Sequence, residues 1–534
     1  MSWGVVEAQD PVASLEGEVR DPSGAAVAGA TVKVTNLDTG YTKSLMTGSN
    51  GFYRLSLLPI GRYSVSLEAT GFSRFLQQPV QLNVSQTVRL DIQLELASQR
   101  ESITVEADAT LVDTATNTLG KVVTTREILD LPLNGRNFAQ LGLLQAGVAG
   151  LTNGVASAGG SLRAGQAYSV NGQRPESNTY LVDGARNLNR MDGGFALRVP
   201  VDAIAEFRIL THTAPPEYGG TSGSNTSVVT KAGANALHGS IYEFFRNDVF
   251  DARNFFSKDV EPLKQNQFGG TLGGPIKRDR MFFFGYYEGF RNRQGITRSA
   301  IVPTPEQRRG DFSARQTPLL NLAGGGVPFP NGQIPPSQFD PLAVKLMNMY
   351  YPLGNVSPSV YTATVVAHNN SDQGGGRFDY RLSDQDQLWL RYSYSVGSNL
   401  NPISIRGSDL PGFPVHDDLK THSFTLSEQH LFSPTTINSA RISFFRHKFY
   451  FDQRLNRTSP RELGFNYDSV SELGQGPPFF NVSGYSPVGG AITGPRNSAQ
   501  NSYEVYDSVS HVRGAHSLKF GGELRRNQVN AVQV

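Results

Sequence analysis

Nine histidines are scattered along this 534-residue sequence, and pairs such as His422/His430 and His511/His516 are spaced neither for one helix face nor for a zinc motif. There are no cysteines, which removes disulfides, thiolate metal sites and cysteine nucleophiles together. The sequence contains no H-E-x-x-H, no phosphate loop and no nucleophile elbow. Gly474-Gln475-Gly476 runs into two prolines, so no helix starts there to cradle a phosphate. Carboxylates are plentiful, but none sits in a context that points to acid–base work. The expectation is a protein that is not an enzyme and holds no cofactor or metal. One short segment suggests a different chemistry. Ile103, Thr104, Val105, Glu106 and Ala107 form a β-prone stretch between polar flanks, and its backbone can add as a strand to the sheet of another protein. The plainer reading is a linker strand lying on a neighbour.

The elements around that segment are strands. Gly (56), Pro (30) and 10% aromatic residues with only 18% charged ones fit a chain of many strands and turns. The length suggests three or four units. A net charge of +2 gives no field that would draw nucleic acid. The most apolar helical stretch, 141–151, is far shorter than the roughly 20 residues that cross a bilayer. That excludes a helical span and leaves a strand-built one open. The opening MSWGVVEAQDPVASLEG shows no basic region followed by a long apolar one, so no signal peptide is visible.

Residues 14–97 read as short alternating strands. Val32 and Val34 share a face, as do Tyr63, Val65 and Leu67, and 88–96 puts Leu90, Ile92, Leu94 and Leu96 inward. Gly48 to Gly51 reads as a hairpin turn in which Asn-Gly supplies the positive φ angles. The sum is a small β-sandwich. Residues 98–120 form a linker around 103–107. Residues 121–238 begin with Thr124 and Thr125 as cap candidates of a short helix, and Asn137 or a neighbour caps a second through Leu144. Short strands and an Asp183-Gly184 turn follow, giving a small α+β unit. From 239 to 534 there are nine strand candidates: 239–251, 265–276, 280–295, 374–383, 386–397, 421–433, 436–451, 501–514 and 516–527. In one of them Leu388, Leu390, Tyr392, Tyr394 and Val396 oppose Gln387, Trp389, Arg391, Ser393 and Ser395. Apolar-out, polar-in alternation with long loops at 296–373 and 452–500 points to a transmembrane antiparallel barrel.

Three resemblances carry these units further. Gly17, Asp21, Gly24, Gly29, Gly51, Tyr53, Pro59, Gly61, Tyr63, Gly71 and Phe72 make residues 14–97 similar to the carboxypeptidase-regulatory-like domain, a transthyretin-like sandwich. Asn171-Gly172, Asp183-Gly184, Glu206, Tyr218-Gly219 and Val228-Val229-Thr230-Lys231 hold the order and spacing of the plug of a TonB-dependent receptor. LPLNGRNF and NGQRPESNTYLVDG resemble its Oar-like subgroup, whose members carry the N-terminal sandwich. The resemblance implies a mainly β protein in the outer membrane of a Gram-negative-type envelope. It would hold an N-terminal sandwich, a plug and the first strands of a lipid-embedded barrel, and would import an unidentified substrate. In that setting 103–107 resembles a TonB box, the segment that engages a TonB-type energising protein. A plugged barrel needs about 22 strands, so nine imply an incomplete one. A surface adhesin or carbohydrate-binding sandwich protein is the competing class. An enzyme with a regulatory sandwich would need a zinc motif.

Overall fold

The structure is a computed structural model. It describes residues 12–97, 102–105, 119–131, 133–150, 168–190, 193–212, 214, 222–253, 255, 259–403, 407–452, 456–469, 476–490, 496–513 and 516–533.

The N-terminal unit is two facing sheets. In one, Val12–Arg20 lies between Phe52–Pro59 and the short strands Thr87–Arg89 and Ile92–Gln93. The other runs in the order Thr42–Met46, Thr31–Asn36, Gly61–Glu68, Arg74–Leu82, Ser102–Val105. The alternation places Val32, Val34, Tyr63, Val65 and Leu67 in the buried core between the sheets. The expected single strand over 88–96 is broken after Arg89, and Leu96 is exposed rather than inward. Gly48–Gly51 carries the chain from one sheet to the other instead of closing a hairpin, and only Gly51 has positive φ (73°). The Tyr63 ring is fully buried and its hydroxyl donates to the Pro59 carbonyl at 2.7 Å. Tyr63→Ala is therefore expected to cost about 3–5 kcal/mol, read as a lower midpoint of the sandwich's melting transition. An unchanged midpoint would contradict that placement.

The middle unit centres on a five-stranded sheet ordered Leu119–Thr124, Ile204–His212, Asn225–Thr230, Thr179–Val182, Ala185–Arg186. Helix Thr125–Asp130 starts on a capping box in which Thr124 and Glu127 satisfy each other's backbone N–H groups. The second helix, Phe138–Leu144, is capped by Asn137 as expected but is 3-10 rather than α.

The third unit is one antiparallel meander of nine strands. They are His238–Asn247, Leu263–Lys277, Met281–Ile301, Val360–Arg381, Asp386–Asn401, Val415–Ser433, Thr436–Asp452, Arg496–Arg513 and His516–Gln533. Every expected strand is present, and several run further than expected. Ladder pairing persists where the alternation stops, as between 296–301 and 360–365, where Thr297 meets Thr364 and Ser299 meets Thr362 through their hydroxyls. Apolar patterning marks only the part of a strand that needs an apolar surround, so polar extensions leave no hydropathy trace. The joins 278–280, 382–385, 434–435 and 514–515 are short and lie at one end, whereas 248–262, 302–359, 402–414 and 453–495 are long and lie at the other. Short turns on one side and long loops on the other are the asymmetry of outer-membrane barrels.

Candidate functional site

The two faces of the large sheet differ in chemistry. On one face Tyr392, Ile442, Val505, Phe520 and Leu524 are exposed. On the other Arg391, Ser393, Thr421, Ser439 and Glu504 are buried. The apolar face has no protein partner among the described residues and suits lipid. The polar face is covered by the middle unit.

That covered interface is built from matched polar groups. Gln500 of the sheet donates to the Leu188 carbonyl at 3.0 Å and accepts from the Arg190 N–H at 3.2 Å. Arg136 of the middle unit bridges Asp202 and Glu288, the latter at 3.9 Å, and lies over the Tyr242 and Phe244 rings. Phe284 and Tyr286 of the sheet join the middle unit's core cluster. Asp183 is the most demanding member. It has no exposed surface, and its two oxygens accept from the Thr230 N–H (2.8 Å) and hydroxyl (2.7 Å). Arg391 and Arg377 of the sheet approach the same carboxylate at 3.4 and 3.7 Å. Asp183 reaches this position because it and Gly184 turn the chain with φ of 47° and 78° between two paired strands.

The sequence-derived residues do not all come together. Asp183, Gly184, Val228 and Thr230 come together, since Thr179–Val182 pairs in parallel with Asn225–Thr230. The Lys231 N–H closes the sheet's end on the Ala203 carbonyl. Asn171-Gly172 stands apart as a tight turn just after strand Tyr168–Val170, with the Asn171 amide donating to the Thr211 carbonyl. Tyr218, Gly219, Glu106 and Ala107 lie outside the described residues. Ile103, Thr104 and Val105 lie in strand Ser102–Val105, paired in parallel with the sandwich strand Arg74–Leu82.

Glu206 has a separate partner. Its carboxylate accepts from the Val84 N–H of the sandwich at 2.6 Å, while Arg208, two residues along, donates to the Val84 carbonyl. One strand of the middle unit thus grips both backbone polar groups of a single sandwich residue. Burial pushes the Glu206 carboxyl from 4.5 up to about 7, opposed in part by the Val84 N–H and Arg208. A carboxyl raised on folding binds its proton more tightly in the folded state. Stability from this group is therefore full below about pH 4.5 and is lost as pH rises to about 7. The contact should resist denaturant better at pH 5 than at pH 7.5, and Glu206→Gln should flatten that difference. An equal pH dependence in the variant would show that another group is responsible.

The sandwich also touches the short-turn end of the sheet. The Asn235 N–H donates to the Asp38 carbonyl, and the Asn235 amide bonds Asp279 in the 278–280 turn. Among the described residues no three His, Asp or Glu side chains group as a metal site. Sequence reading did not single out Arg377, Arg136, Arg208 or Val84. Arg391 carried a signal, as a charge on the inward face of an alternating strand.

Comparison with known proteins fits this architecture. Residues 229–534, more than half of the chain, match the outer membrane beta barrel domain, and the chain belongs to that family. Membership places it in the outer membrane. The match begins within strand Asn225–Thr230, ahead of the first strand of the large sheet. Residues 14–95 match the carboxypeptidase regulatory-like domain. The TonB-dependent transporter Oar of Myxococcus xanthus is 26% identical over 286 residues, 51% of this chain and 25% of that protein. The chain thus spans about a quarter of the length of this curated relative. Among solved structures, the outer membrane transporter YddB from Escherichia coli is 13% identical over 77% of this chain and 48% of its own, with a TM-score of 0.47. The ferric enterobactin receptor of Pseudomonas aeruginosa is 13% identical over 77% and 49%, with a TM-score of 0.44. These relatives are transporters and receptors, not enzymes.

Proposed function

We propose that the chain is part of a TonB-dependent outer-membrane receptor, which binds an external substrate and imports it with energy from a TonB-type partner. Residues 121–238 act as its plug, and residues 239–534 supply the wall it seats against, with outer-membrane lipid on the far side. The observation that carries this reading is the plug-to-wall ionic contact. Asp183 is fully buried yet faces Arg391 and Arg377 across the seam. A permanently fused core would gain more from apolar packing there, because a buried ion pair is seldom better than a hydrophobic replacement. A polar seam suits a plug that must part from its wall. Residues 98–120 carry the partner contact, with Ile103–Val105 as its visible strand. The long loops 302–359 and 453–495 are where substrate selectivity belongs. The test is cross-linking in cells between the full-length receptor and the C-terminal domain of the TonB-type protein. Cross-links that centre on 98–120 are expected. Their absence there, with cross-links elsewhere or none, would overturn the assignment.

A further inference from the structure

The sandwich meets the wall as well as the plug, through a hairpin tip. Loop 37–41 joins the paired strands Thr31–Asn36 and Thr42–Met46 and lies against the 278–280 turn. Gly40 is the point of closest approach: a Cβ built there would stand 3.6 Å from the Asp279 Cβ, and its φ of 70° suits glycine. Asn235, in the connection from plug to wall, ties the contact together. Its N–H donates to the Asp38 carbonyl at 2.8 Å. Its amide donates to the Asp279 carboxylate at 2.6 Å and accepts from the Asp279 N–H at 2.8 Å. Beside this tip a cavity of about 160 Å³ lies between Tyr41, Pro59 and Ile60 of the sandwich and Phe282, Arg377 and Trp389 of the wall. Arg377 is one of the two arginines that approach the buried Asp183, so the sandwich roofs one side of the plug's ionic seam.

We propose that the sandwich is a lid on the short-turn rim, which staples the plug to the wall and must lift before the plug can part from it. This rests on the reading of 121–238 as a plug that moves. Two attachments make the staple. Glu206 and Arg208 of the plug hold both backbone polar groups of Val84, in buried, charge-assisted bonds. The rim holds the sandwich more lightly, through the Asp38 carbonyl and the approach of Gly40 to Asp279. When the plug is drawn out, the weaker rim contact gives first and the sandwich leaves with the plug. Lifting also changes the seam, because a charge pair attracts less strongly once water reaches it. The Arg377–Asp183 contact borders the cavity that the lid roofs. A seated lid thus favours the closed plug, and a lifted one eases its release. The alternative is a spacer that stays on the rim while the plug moves past it.

The absence of cysteine allows the rim contact to be locked. Gly40→Cys with Asp279→Cys sets two Cβ atoms within the reach of a disulfide. The double variant is made in the full-length receptor, extracted from outer membranes and held in detergent at intermediate urea. Trypsin is the probe, and the rate of cleavage within 168–230 reports how often the plug is released. A lid predicts that the oxidised protein is cut about tenfold more slowly, or less, than the same protein reduced. Both positions have positive φ (70° and 61°), and comparing the two redox states of one variant cancels that strain. Equal rates would overturn the lid in favour of a spacer, and failure of the bond to form would overturn the seating itself. Gly40→Asp tests the same contact without a bond. Aspartate tolerates the left-handed region and sets a second carboxylate against Asp279, so plug cleavage should be about fivefold faster or more. An unchanged rate would likewise overturn the lid. No substrate or energising partner enters either measurement, so a failure here is distinct from missing cross-links at 98–120, which would overturn the receptor reading.

Discussion

Asp183→Ala is expected to destabilise the packing of the middle unit on the large sheet by about 3–5 kcal/mol, the range for removing one partner of a buried ion pair. The asymmetry of its partners explains why. Arg377 keeps a second carboxylate, Asp379, at 2.8 Å. Among the described residues Arg391 otherwise has the hydroxyls of Ser423 and Thr425, each at 3.1 Å, and one of its terminal nitrogens is buried without a hydrogen-bond partner. Without Asp183 that guanidinium is a buried cation with no carboxylate paired to it among the described residues. The variant also frees the Thr230 N–H and hydroxyl inside the protein, adding the cost of unsatisfied donors. Asp183→Asn should be milder, since an amide oxygen can still accept from Thr230. Replacing Arg391 with methionine in the Asp183→Ala background should recover part of the loss, because it removes the stranded charge. Denaturant unfolding of the full-length protein, or protease cleavage within 168–230, measures each step. A loss that the double variant deepens rather than relieves would show that the pair is not coupled as described.

The second large effect concerns transport rather than stability. Val105→Pro is expected to abolish energised uptake while leaving substrate binding at the cell surface intact, and Val105→Ala should do much less. Proline has no N–H and fixes φ, so it breaks a strand ladder where alanine does not. The competing reading of 103–107 as a linker strand on its neighbour makes a different forecast: proline would lower fold stability and substrate binding together. The strand does lie on a neighbour, and that neighbour is the sandwich, so the two readings separate on measured binding. Normal transport by Val105→Pro would show that residues 103–107 are not the partner contact.

Much of this fold was legible because period-two alternation is a local signal. Each of the nine wall strands, the sandwich core around Tyr63, and the Asp183-Gly184 turn follow from a few consecutive residues. The motif residues Asp183 and Thr230 were visible as members of one pattern, although their direct hydrogen bonds were not. What stayed hidden was pairing across distance and pairing to backbone. Glu206 meets Val84 across 122 residues of sequence, and what it recognises is a peptide N–H that any residue but proline would supply. Arg377 sits in a glycine-rich run, Gly374-Gly375-Gly376, that blurs its alternation. The Gly48–Gly51 turn misled because a hairpin and a crossing between sheets use the same residue types. The broken strand at 88–96 misled because Asp91, between two inward residues, looks like ordinary alternation.

Whether the large sheet belongs to a closed outer-membrane barrel is decided by the electrophoretic migration of full-length protein extracted from outer membranes, with and without boiling. A closed barrel resists detergent until heated, so a compact, faster-migrating band that shifts to the unfolded position on boiling is expected, recovered only from the membrane fraction. A single band unaffected by heat, from protein found in the soluble fraction, would contradict it and return the nine-stranded sheet to a soluble surface-binding protein.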